Sequence, residues 1–136
     1  MSVRNDLLKK AKAVSPGLSG VLSSEKLLIL DHETVTEAAT ACSPSVPITI
    51  IDNDGNEAIS LANGTIVGQT KIFISSTNNT VTLTPATTAG SYSTIATTNI
   101  GETYGLMWTA DGWAVIMRAS GDTQADNAVD DLPVLA

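Results

Sequence analysis

The residues in this chain that could do chemistry are few and scattered. Its single histidine, His32, stands between Asp31 and Glu33, and with a serine it would supply the parts of a Ser-His-Asp triad. Side chains adjacent in sequence rarely converge on one substrate, so His32 is expected to be a turn residue instead. The one cysteine, Cys42, cannot form an intramolecular bridge and has only His32 as a potential base, which leaves a small buried thiol as its expected state. Asp52-Asn53-Asp54-Gly55-Asn56-Glu57 offers oxygen ligands that partly resemble a calcium loop, yet the terminal glutamate does not stand at the required distance, and the same residues make a tight turn. Asn63-Gly64-Thr65 and Asn78-Asn79-Thr80 fit the glycosylation pattern, which has meaning only in a secreted chain. Trp108 and Trp113 would either line a sugar platform or fill a core between facing strands, and the core is the expectation. The sequence carries no phosphate loop, dinucleotide glycine fingerprint or Cys/His metal spacing. No enzymatic activity, cofactor or metal is therefore expected.

Strands must position whatever these residues do. From Ala58 to Arg118, β-branched and aromatic residues alternate with small polar ones at period two, punctuated by turn residues, which predicts a run of antiparallel strands. Val46 to Ile51 and Glu57 to Ala62 are expected to pair across the Asp52–Gly55 turn, and Asn63-Gly64 to turn a second hairpin into Ile66 to Ser75. Thr80 to Thr84 returns after Thr77-Asn78-Asn79, with Val81 and Leu83 inward. The last hairpin joins Glu102–Thr109 to Gly112–Arg118 through Ala110-Asp111-Gly112, where glycine admits a positive φ. Tyr104, Leu106 and Trp108 share one face with Trp113, Val115 and Met117. Gly105, Met107, Ala114 and Ile116 fall on the other, which is unusually apolar for a side meeting water and is expected to meet another layer or subunit. The fold class predicted is all-β, a small antiparallel sandwich or barrel, with a short N-terminal helical arm over Asn5 to Val14. No repeat of solenoid type is visible. The chain divides into an arm at 1–24, a β domain at 25–118 and an acidic tail at 119–136, the tail disordered alone or strapped onto a neighbour.

At 136 residues the chain is long enough for one domain with a buried core. Its net charge of −7 is uneven: Arg4, Lys9, Lys10, Lys12 and Lys26 oppose only Asp6 and Glu25 before residue 27, and the remainder is strongly acidic. An acidic body argues against nucleic acid as partner, since phosphate binding needs a basic footprint. The basic helix is marginal alone and is expected to dock on a partner through Arg4, Lys9, Lys10 and Lys12 together with Leu7 and Leu8. No apolar run reaches membrane-spanning length and no signal peptide is evident, so a membrane partner and secretion by the usual route are not expected. Between Ala58 and Gly101 the only charged residue is Lys71, while Ser, Thr and Asn abound. So sparse a charge pattern predicts a surface buried in assembly or built as a Thr/Ser coat.

The segments Asn63-Gly-Thr-Ile-Val-Gly-Gln-Thr-Lys-Ile, Asn79-Thr-Val-Thr-Leu-Thr-Pro and Glu102-Thr-Tyr-Gly-Leu-Met-Trp-Thr-Ala-Asp-Gly-Trp-Ala-Val-Ile resemble a module of tailed-bacteriophage virion surface proteins. That module has a Gly-Gln-x-Lys strand, a Thr-Val-Thr strand and a Trp-x-x-Asp-Gly-Trp hairpin, and it occurs in capsid decoration proteins, head fibres and tail fibres. The likeness covers Ile48 to Arg118. It implies a structural virion protein on the capsid surface, commonly a homotrimer, with the major capsid protein as partner. A tail fibre normally adds a shaft and an attachment region, so the length of this chain favours decoration. A head fibre or receptor-binding fibre protein recognising host surface sugars is the second expectation, and a stand-alone sugar-binding module the third.

Overall fold

The computed structural model describes residues 30–121 and 132–136. The expected arm helix, with Arg4, Leu7, Leu8, Lys9, Lys10 and Lys12, lies outside them, as does the middle of the acidic tail. The described chain is all β: β1 (His32–Val35), β2 (Ala41–Cys42), β3 (Ile48–Ile51), β4 (Glu57–Leu61), β5 (Thr70–Ser75), β6 (Val81–Pro85), β7 (Ile95–Thr97), β8 (Thr103–Thr109), β9 (Gly112–Ala119) and β10 (Val134–Leu135). Two five-stranded sheets result, the first ordered β1-β3-β5-β8-β9 and the second β10-β7-β6-β4-β2. His32 begins a strand and is not in a turn.

The expected antiparallel order is corrected for the first six strands. β1, β3 and β5 pair in parallel in the first sheet, and β2, β4 and β6 pair in parallel in the second. The chain therefore crosses between sheets at each turn and builds three two-strand coils. The hairpins expected at Asp52–Gly55, Asn63-Gly64 and Thr77–Asn79 are absent, because the strands on either side of each belong to different sheets. Asp, Asn and Gly reverse the chain in either case. What selects the crossing is burial: it sets Ile59, Leu61, Val81 and Leu83 of the second sheet into one core with Ile51 and Phe73 of the first. Gly64 is needed for a close approach and not for a hairpin turn, since a Cβ there would stand 2.4 Å from Cγ of Trp108.

The later strands do pair antiparallel, β5 with β8 and β8 with β9. The closing hairpin turns at Ala110-Asp111 into Gly112, whose φ of 130° favours glycine. A register shift between Gly105 and Leu106 sets Leu106 against Val115 but Gly105 against Met117. The irregularity breaks the simple alternation, so Met117 moves off the face it was expected to share with Trp113 and stands 41% exposed. The end of the chain was expected to be loose or to reach a neighbour; instead β10 pairs with β7 of the same chain, and the Thr94 amide donates to the Ala136 carbonyl at 2.8 Å.

Candidate functional site

Polar side chains concentrate at two places inside the fold. The first follows from strand alternation: Glu33, Thr49, Phe73 and Tyr104 stand opposite one another across β1, β3, β5 and β8 and all turn inward. Lys71, two residues before Phe73, also points in and is fully buried. Its ammonium donates to Oε1 of Glu33 at 3.0 Å and to the Val46 carbonyl at 2.8 Å, and lies 5.1 Å from the Phe73 ring centre. The Thr49 hydroxyl donates to the same carboxylate oxygen at 2.7 Å, and the Ser43 amide donates to both oxygens at 3.0 and 3.2 Å. Partial burial of Glu33 raises its pKa, but the hydrogen bonds from Thr49, Lys71 and Ser43 and the positive charge of Lys71 outweigh that and hold the carboxyl below its ordinary value. The arrangement ties the first coil to the third. Beside it, Cys42 is buried, and desolvation together with the Glu33 charge pushes its thiol up to about 11. A thiol so protonated at neutral pH is a poor nucleophile, in agreement with a packing role.

The second place is the tier of crossing loops. The Ser76 hydroxyl donates to Oδ1 of Asp52 at 3.0 Å, the Asn79 amide group to the Asn53 carbonyl at 2.8 Å, and the Thr80 amide to Oδ1 of Asn56 at 2.8 Å. The Asn53 side chain donates to the Glu57 carboxylate. A third loop joins above, with the Ile100 amide donating to Oδ1 of Asn78 at 3.1 Å and the Thr98 amide to Glu102 at 2.6 Å. Of the oxygens that suggested a calcium loop, those of Asp52, Asn56 and Glu57 thus accept hydrogen bonds within and between loops, whereas the buried Oδ1 of Asn53 has no hydrogen-bond partner. Among the described residues no group of three or more His, Cys, Asp or Glu is placed to hold a metal ion, and no helix is long and apolar enough to cross a membrane.

The remaining expected chemistry is absorbed into the scaffold in the same way. His32 and Glu33 leave β1 on opposite faces, so the pair does not converge. Trp113 is fully buried, donates from its indole N–H to the Ala62 carbonyl at 2.9 Å and meets Trp108 edge-on with ring centres 5.4 Å apart. Half-buried Trp108 packs against the core, so the two indoles are packing partners and not a platform. Gln69 bonds the Thr65 amide and the Pro44 carbonyl, fixing the loop before β5. That loop borders an open depression of about 510 Å³ lined by Ser45, Thr65, Ile66, Val67, Gly68 and Gln69.

The outward side of the first sheet was only half foreseen. Ile48 stands opposite Ile72, and Ile50 opposite Ile74, in parallel register, and all four turn away from the core. Gly105, Met107, Ala114 and Met117 continue the same side across β8 and β9. The sequence signal was available in the Ile48-Thr49-Ile50 and Ile72-Phe73-Ile74 alternations, but which member faces in depends on the partner strand. No protein-family model matches the chain, and no curated protein matches it either.

Proposed function

We propose that the chain is a structural virion protein, a capsid decoration protein that binds the assembled head of a tailed bacteriophage as a homotrimer and stabilises it. The major capsid protein is its partner, and the capsid surface is its location. The two sheets act as a small β-sandwich body, and the basic helical arm, with Arg4, Leu7, Leu8, Lys9, Lys10 and Lys12, docks onto the capsid. The observation that carries this reading is the use of the buried polar side chains around Glu33 and Lys71, and of Trp113, to hold the scaffold, beside an outward side of the first sheet where Ile48, Ile50, Ile72 and Ile74 sit half-buried among Thr34 and Thr70. A protein that binds only the assembled lattice favours the intact shell over its subunits by mass action. The alternative, a head fibre or receptor-binding fibre protein recognising host sugars, calls for exposed aromatic or hydrogen-bonding side chains at a free end, and of the aromatics Trp113 and Phe73 are fully buried.

The test is to strip the protein from particles and measure heat resistance together with adsorption to host cells, then to add back full-length protein or protein lacking residues 1–17. Decoration predicts lost heat resistance with normal adsorption, restored by full-length protein and not by the truncated one. Normal heat resistance with lost adsorption supports the fibre reading instead. Full occupancy by the truncated protein would make the β body the anchor.

A further inference from the structure

We propose that Asn63-Gly64 is a site of spontaneous covalent modification, at which attack by the Gly64 backbone amide converts Asn63 to aspartate and isoaspartate. The inference rests on neither the capsid nor the homotrimer reading above.

The reaction needs an unengaged asparagine carboxamide, an unengaged amide nitrogen on the next residue, and room for the pair to close a succinimide ring. Of the described asparagines, Asn63 alone meets all of these conditions. Its side chain is exposed, and neither it nor the Gly64 amide makes a hydrogen bond with any described residue. At the other asparagines the fold holds one reactant or both. Asn53 is buried and its side chain donates to Glu57. Asn56 accepts from the Thr80 amide, while the amide after it, of Glu57, donates to the Thr80 carbonyl at 2.9 Å. Asn78 accepts from the Ile100 amide, while the Asn79 amide donates to the Thr77 hydroxyl at 3.2 Å. Asn79 donates to the Asn53 carbonyl, while the Thr80 amide donates to Asn56. Asn99 donates to Thr98 and Glu102, while the Ile100 amide donates to Asn78. Asn63 is also the described asparagine that precedes a glycine, so no side chain crowds the ring closure. Trp108 keeps position 64 a glycine, since a Cβ there would overlap its side chain.

The Gly64 nitrogen loses its proton to base in solution and bonds to Cγ of Asn63. The Cγ–Nδ2 bond breaks, and Nδ2 leaves as ammonia with a proton from water. A water molecule then opens the ring. Breaking the bond from nitrogen to Cγ gives aspartate, and breaking that to the main-chain carbonyl carbon gives isoaspartate. Either product adds a carboxylate to the span from Ala58 to Gly101, whose only charged residue is Lys71. Isoaspartate also lengthens the main chain by a methylene at a tightly packed place. The Ala62 carbonyl before it accepts the Trp113 indole N–H at 2.9 Å, and Gly64 after it lies against Trp108. Conversion therefore loosens the packing of both indoles.

The experiment holds the full chain in mildly alkaline buffer, folded and in urea, as wild type, Asn63→Gln and Asn63→Asp. Peptide mapping follows each asparagine, enzymatic methylation detects isoaspartate, and circular dichroism checks that each variant is folded before the incubation. Asn63 is expected to convert in the folded chain at close to its rate in urea, and faster as pH rises, whereas folding slows each hydrogen-bonded asparagine about tenfold or more. Asn63→Gln should remove the folded-state isoaspartate signal. Tryptophan emission should shift further in the converted wild type than in Asn63→Asp, which has the charge without the added methylene. An Asn63 that stays intact in the folded chain while converting in urea overturns the proposal, as does folded-state conversion spread evenly over the asparagines. Unchanged tryptophan emission in fully converted protein overturns the coupling to Trp108 and Trp113.

Discussion

The two sheets of this protein divide polar and apolar residues differently. The second sheet turns Ile59, Leu61, Val81, Leu83 and Ile95 inward and small residues such as Ala58, Ser60, Thr82 and Thr84 outward, as a layer between core and water should. The first turns Glu33, Thr49, Lys71 and Ser75 inward beside Phe73 and Tyr104, and sends four isoleucines out. Burying an ammonium and much of a carboxylate is costly unless both are paired and hydrogen-bonded, and here each has at least two partners. The difference teaches that the second sheet keeps its large apolar residues mostly for the core, whereas the first combines a hydrogen-bonded interior with half-buried isoleucines on its outward side.

Truncating the second sheet's core should have the largest effect. Leu83 is fully buried, so Leu83→Ala should lower unfolding stability by about 2–5 kcal/mol in chemical denaturation. A loss under about 1 kcal/mol would mean that the second sheet is not the ordinary core layer described. Next comes the first sheet's inward pair. Lys71→Ala leaves the Glu33 carboxylate without its ammonium, and since that side chain keeps 23% exposure the loss should fall toward the lower end of the range for broken buried pairs, about 3 kcal/mol. Removing both charges, as Lys71→Met with Glu33→Gln, should recover most of it, and a double variant no better than the single one would show that the charge was not the cause.

The smallest effect expected is with pH. The folded Glu33 carboxyl titrates below its ordinary value of 4.5, so its contribution is fully present above that value and is lost as pH falls through the folded one. Thermal melts of the wild type and Glu33→Gln should therefore differ at neutral pH and converge on acidification. Parallel curves down to the acid limit would remove Glu33 from the acid response.

Much of the local structure was legible in the chain. Period-two alternation located the strands around Val81, Leu83 and Ile51, the Ala110-Asp111-Gly112 turn located the one hairpin that formed as expected, and the isolation of Cys42 foretold a buried thiol. The 24-residue offset that sets Ile48 on Ile72 and Glu57 on Val81 was hidden, because the first coil is shorter, with Glu33 only 16 residues from Thr49, and because Asp-Asn-Asp-Gly in one loop answers Ser-Thr-Asn-Asn in the next.

What the sequence by itself determined are properties settled within a few residues: where a strand can run, where the chain must reverse, and where a glycine can take a positive φ. Only the tertiary structure decided whether a reversal pairs a strand with its neighbour or sends it to the other sheet, since both outcomes begin with the same Asn, Asp and Gly chemistry. It decided, too, that Lys71 is an interior residue and Ile72 an exterior one. The physical reason is that a strand offers two equivalent faces, and the choice between them rests on partners from distant sequence: the Glu33 carboxylate, which accepts from both Lys71 and Thr49, and the shared core that holds Phe73 and Trp113.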